Sequence, residues 1–135
     1  MSENQLRPVI LDTNALMMQF QFYVDIEKEL QRILNFPFQP VVPSSVVDEL
    51  KRLGKGGTPK EKTEAKLALE LAKTFRTEKV DGGDVDTQIL RLAEKLNAVV
   101  VTNDRILRAR LRAKGIPNVH MRSKAFLTME GFGPV

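Results

Sequence analysis

Apolar residues along this chain follow two rhythms. Unbroken short runs occur at residues 8–11 (Pro-Val-Ile-Leu), 40–43 (Pro-Val-Val-Pro) and 99–102 (Val-Val-Val-Thr). Runs of this kind fit strands buried on both faces, as in a covered parallel sheet. Elsewhere the apolar positions recur three and four residues apart, the spacing of one helix face. A short helix is expected to open within 14–20. A second covers 25–35, with Ile26, Leu30, Ile33 and Leu34 on one side, and a third carries Val46, Val47, Leu50 and Leu53. Two more cover 60–75 and 84–96, the latter through Ile89, Leu92, Ala93 and Leu96. Short strands complete the pattern at 77–80 and 119–121.

Cap and turn chemistry sets the boundaries. Ser44 or Ser45 offers an N-cap, with Asp48 placed three residues after Ser45 as in a capping box. Residues 54–59 (Gly-Lys-Gly-Gly-Thr-Pro) read as a basic loop, and Asp81-Gly82-Gly83 as a turn. Asn103 or Asp104 opens a further helix, which Gly115-Ile116-Pro117 closes. Strands alternating with helices argue for an α/β fold, a three-layer sandwich whose mostly parallel central sheet is covered on both faces. No repeat or linker interrupts the pattern, so residues 1–135 read as one domain.

Composition narrows the chemistry. The 135 residues contain no cysteine, which excludes a disulfide scaffold, a thiolate zinc site and a cysteine nucleophile. No stretch approaches the roughly 18 apolar residues of a membrane span, and residues 1–7 have no apolar signal core. A cytoplasmic protein without a membrane partner is expected. The net charge is +4, and from Arg105 to Lys124 there are seven basic residues and no acidic one. Such a run is often only a solvated face. It becomes a phosphate-binding surface if it lies beside a catalytic site.

Four acids suggest such a site. Ligands of open α/β sheets bind beyond the carboxyl ends of the strands. Asp12 follows the first strand directly, and Asp104 follows the 99–101 strand by way of Thr102-Asn103. Glu49 falls in the second turn of the helix after the second strand, and Asp86 in the first turn of the 84–96 helix. Each has an ordinary alternative: Asp12 as a turn residue, Asp86 and Asp104 as helix-terminal acids, Glu49 as a solvated glutamate. Together they would repel one another unless a cation compensates them. Without cysteine, and with the lone His120 reading as a strand residue, an oxygen-ligated Mg²⁺ or Mn²⁺ (one or two ions) fits better than zinc.

At these residues the sequence resembles the PIN-domain nucleases. The matching segments are Val9-Ile10-Leu11-Asp12-Thr13-Asn14, Val42-Pro43-Ser44-Ser45-Val46-Val47-Asp48-Glu49-Leu50, Asp86-Thr87-Gln88-Ile89-Leu90-Arg91-Leu92-Ala93 and Val99-Val100-Val101-Thr102-Asn103-Asp104. Their order and spacing cover most of the chain. The resemblance implies a PIN-like, Rossmann-like sandwich. It also implies Asp12, Glu49, Asp86 and Asp104 as metal-site acids, with Thr13, Asn14, Thr102 and Asn103 as their polar supports. Within the family the likeness is greatest to PIN nucleases of small-subunit ribosomal RNA processing and their archaeal relatives, through residues 11–26 and 107–117. Those relatives often carry two adjacent acids where this chain has Asp84-Val85-Asp86, so Asp84 is a further metal candidate or only an N-cap.

The function so implied is metal-dependent endoribonuclease activity in ribosomal RNA processing, leaving a 5′-phosphate and a 3′-hydroxyl. Lys51, Arg52, Lys55, Arg105, Arg108 and Arg112 are the expected RNA-binding residues, with structured ribosomal RNA as partner. A homodimer is implied by likeness alone. The alternative is a VapC-type toxin ribonuclease, which would add an antitoxin partner. A PIN domain that binds RNA without cutting it is disfavoured by the complete acid set. A phospho-receiver domain is disfavoured because it needs an acidic pair after the first strand, where Leu11 precedes a single Asp12. Aspartate-nucleophile phosphatases need a second Asp where Asn14 stands.

Overall fold

The computed structural model describes residues 6–132. The sequence reading of residues 1–7 as lacking a signal core therefore falls mainly outside the described residues. Strand β1 (Arg7–Leu11) sets the layering. Val9 and Leu11 point into one apolar cluster and Ile10 into the other. A strand with both faces covered must read as an uninterrupted apolar run, which is why the period-two signal is missing from the sequence.

The remaining elements are α1 (Thr13–Gln21), α2 (Ile26–Ile33), β2 (Phe38–Pro43), α3 (Ser44–Leu53), α4 (Pro59–Ala72), β3 (Arg76–Glu78), α5 (Val85–Leu96), β4 (Val99–Val101), α6 (Arg105–Ala113), β5 (Asn118–Arg122) and β6 (Phe126–Glu130). The six strands form one sheet in the order β3-β2-β1-β4-β5-β6. Every neighbouring pair is parallel except β5 with β6. The larger core joins α1 to α4 to one sheet face, through residues such as Leu16, Leu30, Leu50 and Ala68. The smaller one seats α5 and α6 on the other face through Ile89, Leu92, Leu107 and Leu111. The expected three-layer α/β sandwich is the one observed. Among the described residues no helix is long and apolar enough to cross a membrane.

This order positions the site. From the central β1–β4 pair the chain moves outward to β2 and β3 on one side, and to β5 and β6 on the other. Such a reversal opens a crevice beyond the carboxyl ends of the two central strands. The first residues beyond those ends are Asp12 and Thr102.

Three expectations need correction. Neither Ser44 nor Ser45 caps α3. Pro43 occupies the N-cap without a side-chain bond. The Ser44 hydroxyl instead accepts from the Val80 amide at 3.0 Å, tying α3 to the segment after β3. The third strand covers Arg76–Glu78 rather than 77–80. Strand β6 was not foreseen at all. It returns from β5 through Ser123 and Lys124, at φ of 57° and 54°. Hairpin turns with two positive-φ residues are usually signalled by Asn-Gly or Asp-Gly, and Ser-Lys gives no such signal.

Candidate active site

Asp12, Glu49, Asp86 and Asp104 all line one cleft of about 360 Å³, at the carboxyl edge of the sheet. The chain reaches it from three helices and the N-cap of a fourth. Residues four apart share a helix face. Thr13, Met17 and Gln21 descend from α1, Glu49 and Leu53 from α3, and Val85 and Ile89 from α5. The acids thus stand against an apolar wall of Met17, Leu53, Val85 and Ile89. Neither Gln21 nor that wall was singled out from sequence, although the four-residue spacing from Thr13, Glu49 and Val85 carries the signal.

Helix capping fixes two of the acids. Asp12 caps α1, its Oδ1 accepting from the Ala15 amide at 2.8 Å. Asp104 caps α6 by accepting from the Leu107 amide at 2.9 Å. The ordinary role and the candidate catalytic one therefore coexist in the same side chains, because a cap holds a carboxylate rigidly at a helix's positive end. Asp84 caps α5 in the same way, accepting from the Thr87 amide at 2.7 Å. It is exposed and is not part of the cleft lining, whereas Asp86, two residues on, is. Asp84 precedes the helix with extended backbone, whereas Asp86 lies in its first turn.

The proposed supports interlock. Thr102 Oγ1 accepts from the Asp104 amide at 3.1 Å. Asn14 Oδ1 accepts from the Asn103 amide at 2.9 Å, and Asn103 Oδ1 from the Met121 amide at 2.8 Å. Asn14 and Asn103 so join α1, the β4–α6 connection and β5. Thr13 and Asn14 also line the cleft.

Electrostatics distinguish Asp12 from an ordinary cap. Burial pushes the Asp12 carboxyl up to about 7; the Thr102 hydroxyl and Ala15 amide lower it, and the charges of Asp104 and Asp86 raise it further. Asp86 is also raised, by burial and then by Asp104, with Arg110 acting against this. Among the described residues no three acidic or histidine side chains converge tightly enough to hold an ion as they stand. Mg²⁺, however, keeps several waters and needs only one or two direct carboxylates. An all-oxygen set around a buried, uncompensated Asp12 suits such a hard ion. His120 lies half-buried on β5 and does not line the cleft.

The basic residues divide. Arg105 is exposed beside Asp104. Arg52 stands 3.7 Å from Glu49 at the rim. Lys51 and Lys55 border a separate shallow depression with Lys66 and Leu69. Arg108 and Arg112 share a helix face, as their spacing requires, but that face packs toward β6. Both meet Glu130, at 3.2 and 3.0 Å. Glu130 pairs in register with Asn118, the first residue of β5, so this contact lies toward the opposite edge of the sheet.

A family profile described as "PIN like domain" matches residues 9–124. The chain belongs to the PIN-domain nuclease family. This PIN domain is similar to ribonuclease VapC4 of Methanocaldococcus jannaschii, 32% identical over 126 residues that cover 91% of this chain and 96% of the relative. It is similar to ribonuclease VapC9 of Archaeoglobus fulgidus at 30% identity over 114 residues, 84% of this chain and 82% of that one. Among solved structures the PIN domain endonuclease Utp24 superposes with a TM-score of 0.74 at 27% identity, covering 93% of this chain and 92% of that one. A domain of a functionally unknown M. jannaschii protein, at 20% identity and a TM-score of 0.59, shares the fold.

Proposed function

We propose that this PIN domain is a divalent-metal-dependent endoribonuclease that hydrolyses RNA phosphodiesters. The observation that carries this reading is the convergence of Asp12, Glu49, Asp86 and Asp104 on one cleft, with Asp12 pushed up to about 7. Those four acids would hold Mg²⁺ or Mn²⁺, which supplies Lewis-acid polarisation of phosphate and a more nucleophilic water. The chain's own residues do the rest. Asp12, whose carboxyl burial raises to about 7, would be among the residues holding the cation. Thr102, Asn14 and Asn103 hold the two capping acids in place. Met17, Leu53, Val85 and Ile89 offer apolar surface to the ribose and base, and exposed Arg105 offers charge to a flanking phosphate. The product ends implied are a 5′-phosphate and a 3′-hydroxyl.

Both curated relatives carry VapC ribonuclease names. These names favour the toxin-type alternative over the ribosomal RNA processing expected from the sequence. Under this reading the substrate is a structured RNA and an antitoxin is the partner; a homodimer and a cytoplasmic setting are in keeping with it. The test is to incubate the pure chain with total cellular RNA in Mn²⁺, in EDTA, and as Asp12→Asn, and to map the new 5′ ends. Mn²⁺-dependent cuts absent from Asp12→Asn support the nuclease reading. Cuts confined to ribosomal RNA precursors would restore the processing role.

A further inference from the structure

Helix α6 carries three arginines in its middle and last turns, and they have different surroundings. Arg108 and Arg112 converge on Glu130, with the Arg108 side chain only 19% exposed. Arg110 points the other way, toward α5. Its Nη2 donates to Thr87 Oγ1 at 3.2 Å, and its Nη1 stands 3.9 Å from Asp84 Oδ1. Asp84 and Thr87 bracket Asp86 in the opening turn of α5, and Asp86 lines the acid cleft. The Arg110 side chain is 40% exposed. Its guanidinium therefore makes two protein contacts while the side chain stays partly open to solvent. A guanidinium has five donors in a planar fork, and two contacts leave the remainder for a phosphate.

We infer that Arg110 binds a phosphate of the substrate strand at the rim of the acid cleft, and that Asp84 is a positioning residue that acts through Arg110. This rests on the ribonuclease reading above and adds a direction to it. The RNA leaves the acids along the α5–α6 seam, not over the face of α6 that carries Arg108 and Arg112. The charge balance supports that path. A phosphate approaching the cleft meets four carboxylates, and a fixed fork beside Asp86 offsets their repulsion where the strand passes. The same placement accounts for Asp84, an acid close to the site that does not line it. Asp84 anchors the Arg110 guanidinium and caps the helix that carries Asp86.

A purely structural Arg110, clamping α6 to α5, would leave RNA affinity and its salt dependence untouched. The experiment reads binding of a labelled single-stranded RNA by anisotropy across a salt series in Ca²⁺, together with kcat and KM for cleavage in Mg²⁺, on the full chain. For Arg110→Gln we expect the log–log salt slope to fall by about 0.7, the value of one phosphate contact on a single strand. Affinity should fall roughly tenfold, with KM rising more than kcat falls. Asp84→Asn keeps the cap, so it should weaken binding about threefold and add nothing in the Arg110→Gln background. Arg112→Gln should leave the slope unchanged. If Arg110→Gln fails to fold, Arg110→Lys decides: it keeps the charge and loses the fork, so a raised KM with an unchanged slope is expected. An unchanged slope and KM in a folded Arg110 variant overturn the inference while the ribonuclease reading stands. A wild-type chain that neither binds nor cuts RNA overturns both.

Discussion

At the start of α6, Asp104 shares a cleft with Asp12, Glu49 and Asp86. Among the described residues the only ion pair to any of these four acids is Arg52 with Glu49, at the exposed rim. Further along the same helix, Arg108 and Arg112 both close on Oε1 of Glu130. One helix thus runs from unpaired acids at the carboxyl edge of the sheet to paired charges near the other edge. The chain has the cations to pair the cleft acids, with a net charge of +4, yet among the described residues only Arg52 pairs with one of them. Pairing serves stability at one end; at the other, burial first and then the charges of Asp104 and Asp86 leave Asp12 protonatable near neutrality. Leaving like charges together destabilises a fold, so the cleft is where a ligand of opposite charge belongs.

The largest expected effect comes from neutralising the unpaired end. Asp12→Asn, Asp104→Asn and Asp86→Ala should each lower RNA cleavage by about a hundredfold or more, as loss of a metal-site acid does. Melting at pH 8 should be unchanged or higher in Asp12→Asn, because one repelling buried charge is gone. Cleavage of labelled RNA in Mn²⁺ and a thermal scan read both. Full activity of Asp12→Asn would remove the cleft from the mechanism.

Acid–base linkage tests the same contrast without mutation. The Asp12 carboxyl is raised from 3.8 to about 7 in the folded chain. Between those values the folded state holds a proton that the unfolded state has released. Stability from this group is therefore complete below about pH 4, falls as pH rises toward 7, and levels off above it. At about 1.4 kcal/mol per unit the loss is at most about 4 kcal/mol. Metal-free melting from pH 5 to 8 should show the decline. Added Mg²⁺ should reverse it at pH 8, and Asp12→Asn should flatten it. A metal-free chain whose stability rises over this range would contradict the buried, unpaired state of Asp12.

Sequence made the unpaired end more legible than the paired one. Asp12, Asp86 and Asp104 follow short strands or open helices, which are local signals, and Glu49 sits one turn into α3. Asp12 and Asp104 were placed by the Val9–Leu11 and Val99–Val101 runs, and the cleft brings them together with Glu49 and Asp86. The paired end depends on β6, whose Phe126-Leu127-Thr128-Met129-Glu130 segment sits at a sheet edge and alternates weakly. Without β6 the ion pairs of Arg108 and Arg112 with Glu130 are invisible in the sequence. The i, i+4 spacing gave their common face correctly but not its neighbour. Ser44 misled for a similar reason, since its partner Val80 lies 36 residues away.

Breaking the paired end should have a smaller, purely structural effect. Glu130→Gln leaves Arg108 and Arg112 without their shared carboxylate, a partly buried pair. About 1–2 kcal/mol of stability should be lost, read from the urea midpoint. The salt slope of RNA binding should not move. Reversing Arg108 and Arg112 to Glu should accordingly destabilise the chain by crowding Glu130, instead of only weakening RNA binding. A reversal that leaves stability intact and lowers the salt slope would return these arginines to the RNA surface.

Asp84 lies between the two regimes, and its effect should be the smallest. It is exposed, and its carboxyl lies below the usual range, first because it accepts the Thr87 amide and then through Arg110 and Arg91. Asp12 and Asp86, which line the cleft, are raised instead. Asn caps a helix about as well as Asp, and Ala does not. Asp84→Ala should therefore lower the melting temperature by roughly 2–5 °C, and Asp84→Asn should leave it nearly unchanged. Both variants lose the carboxylate that anchors Arg110, so both should raise KM a few-fold. Neither should shift the Mn²⁺ concentration that gives half-maximal cleavage, because Asp84 stands outside the cleft lining. A Mn²⁺ titration of the two variants beside Asp86→Ala separates the roles. Losses as large as those of Asp86→Ala, rescued at high Mn²⁺, would make Asp84 a ligand and extend the unpaired cluster by one acid beyond the cleft.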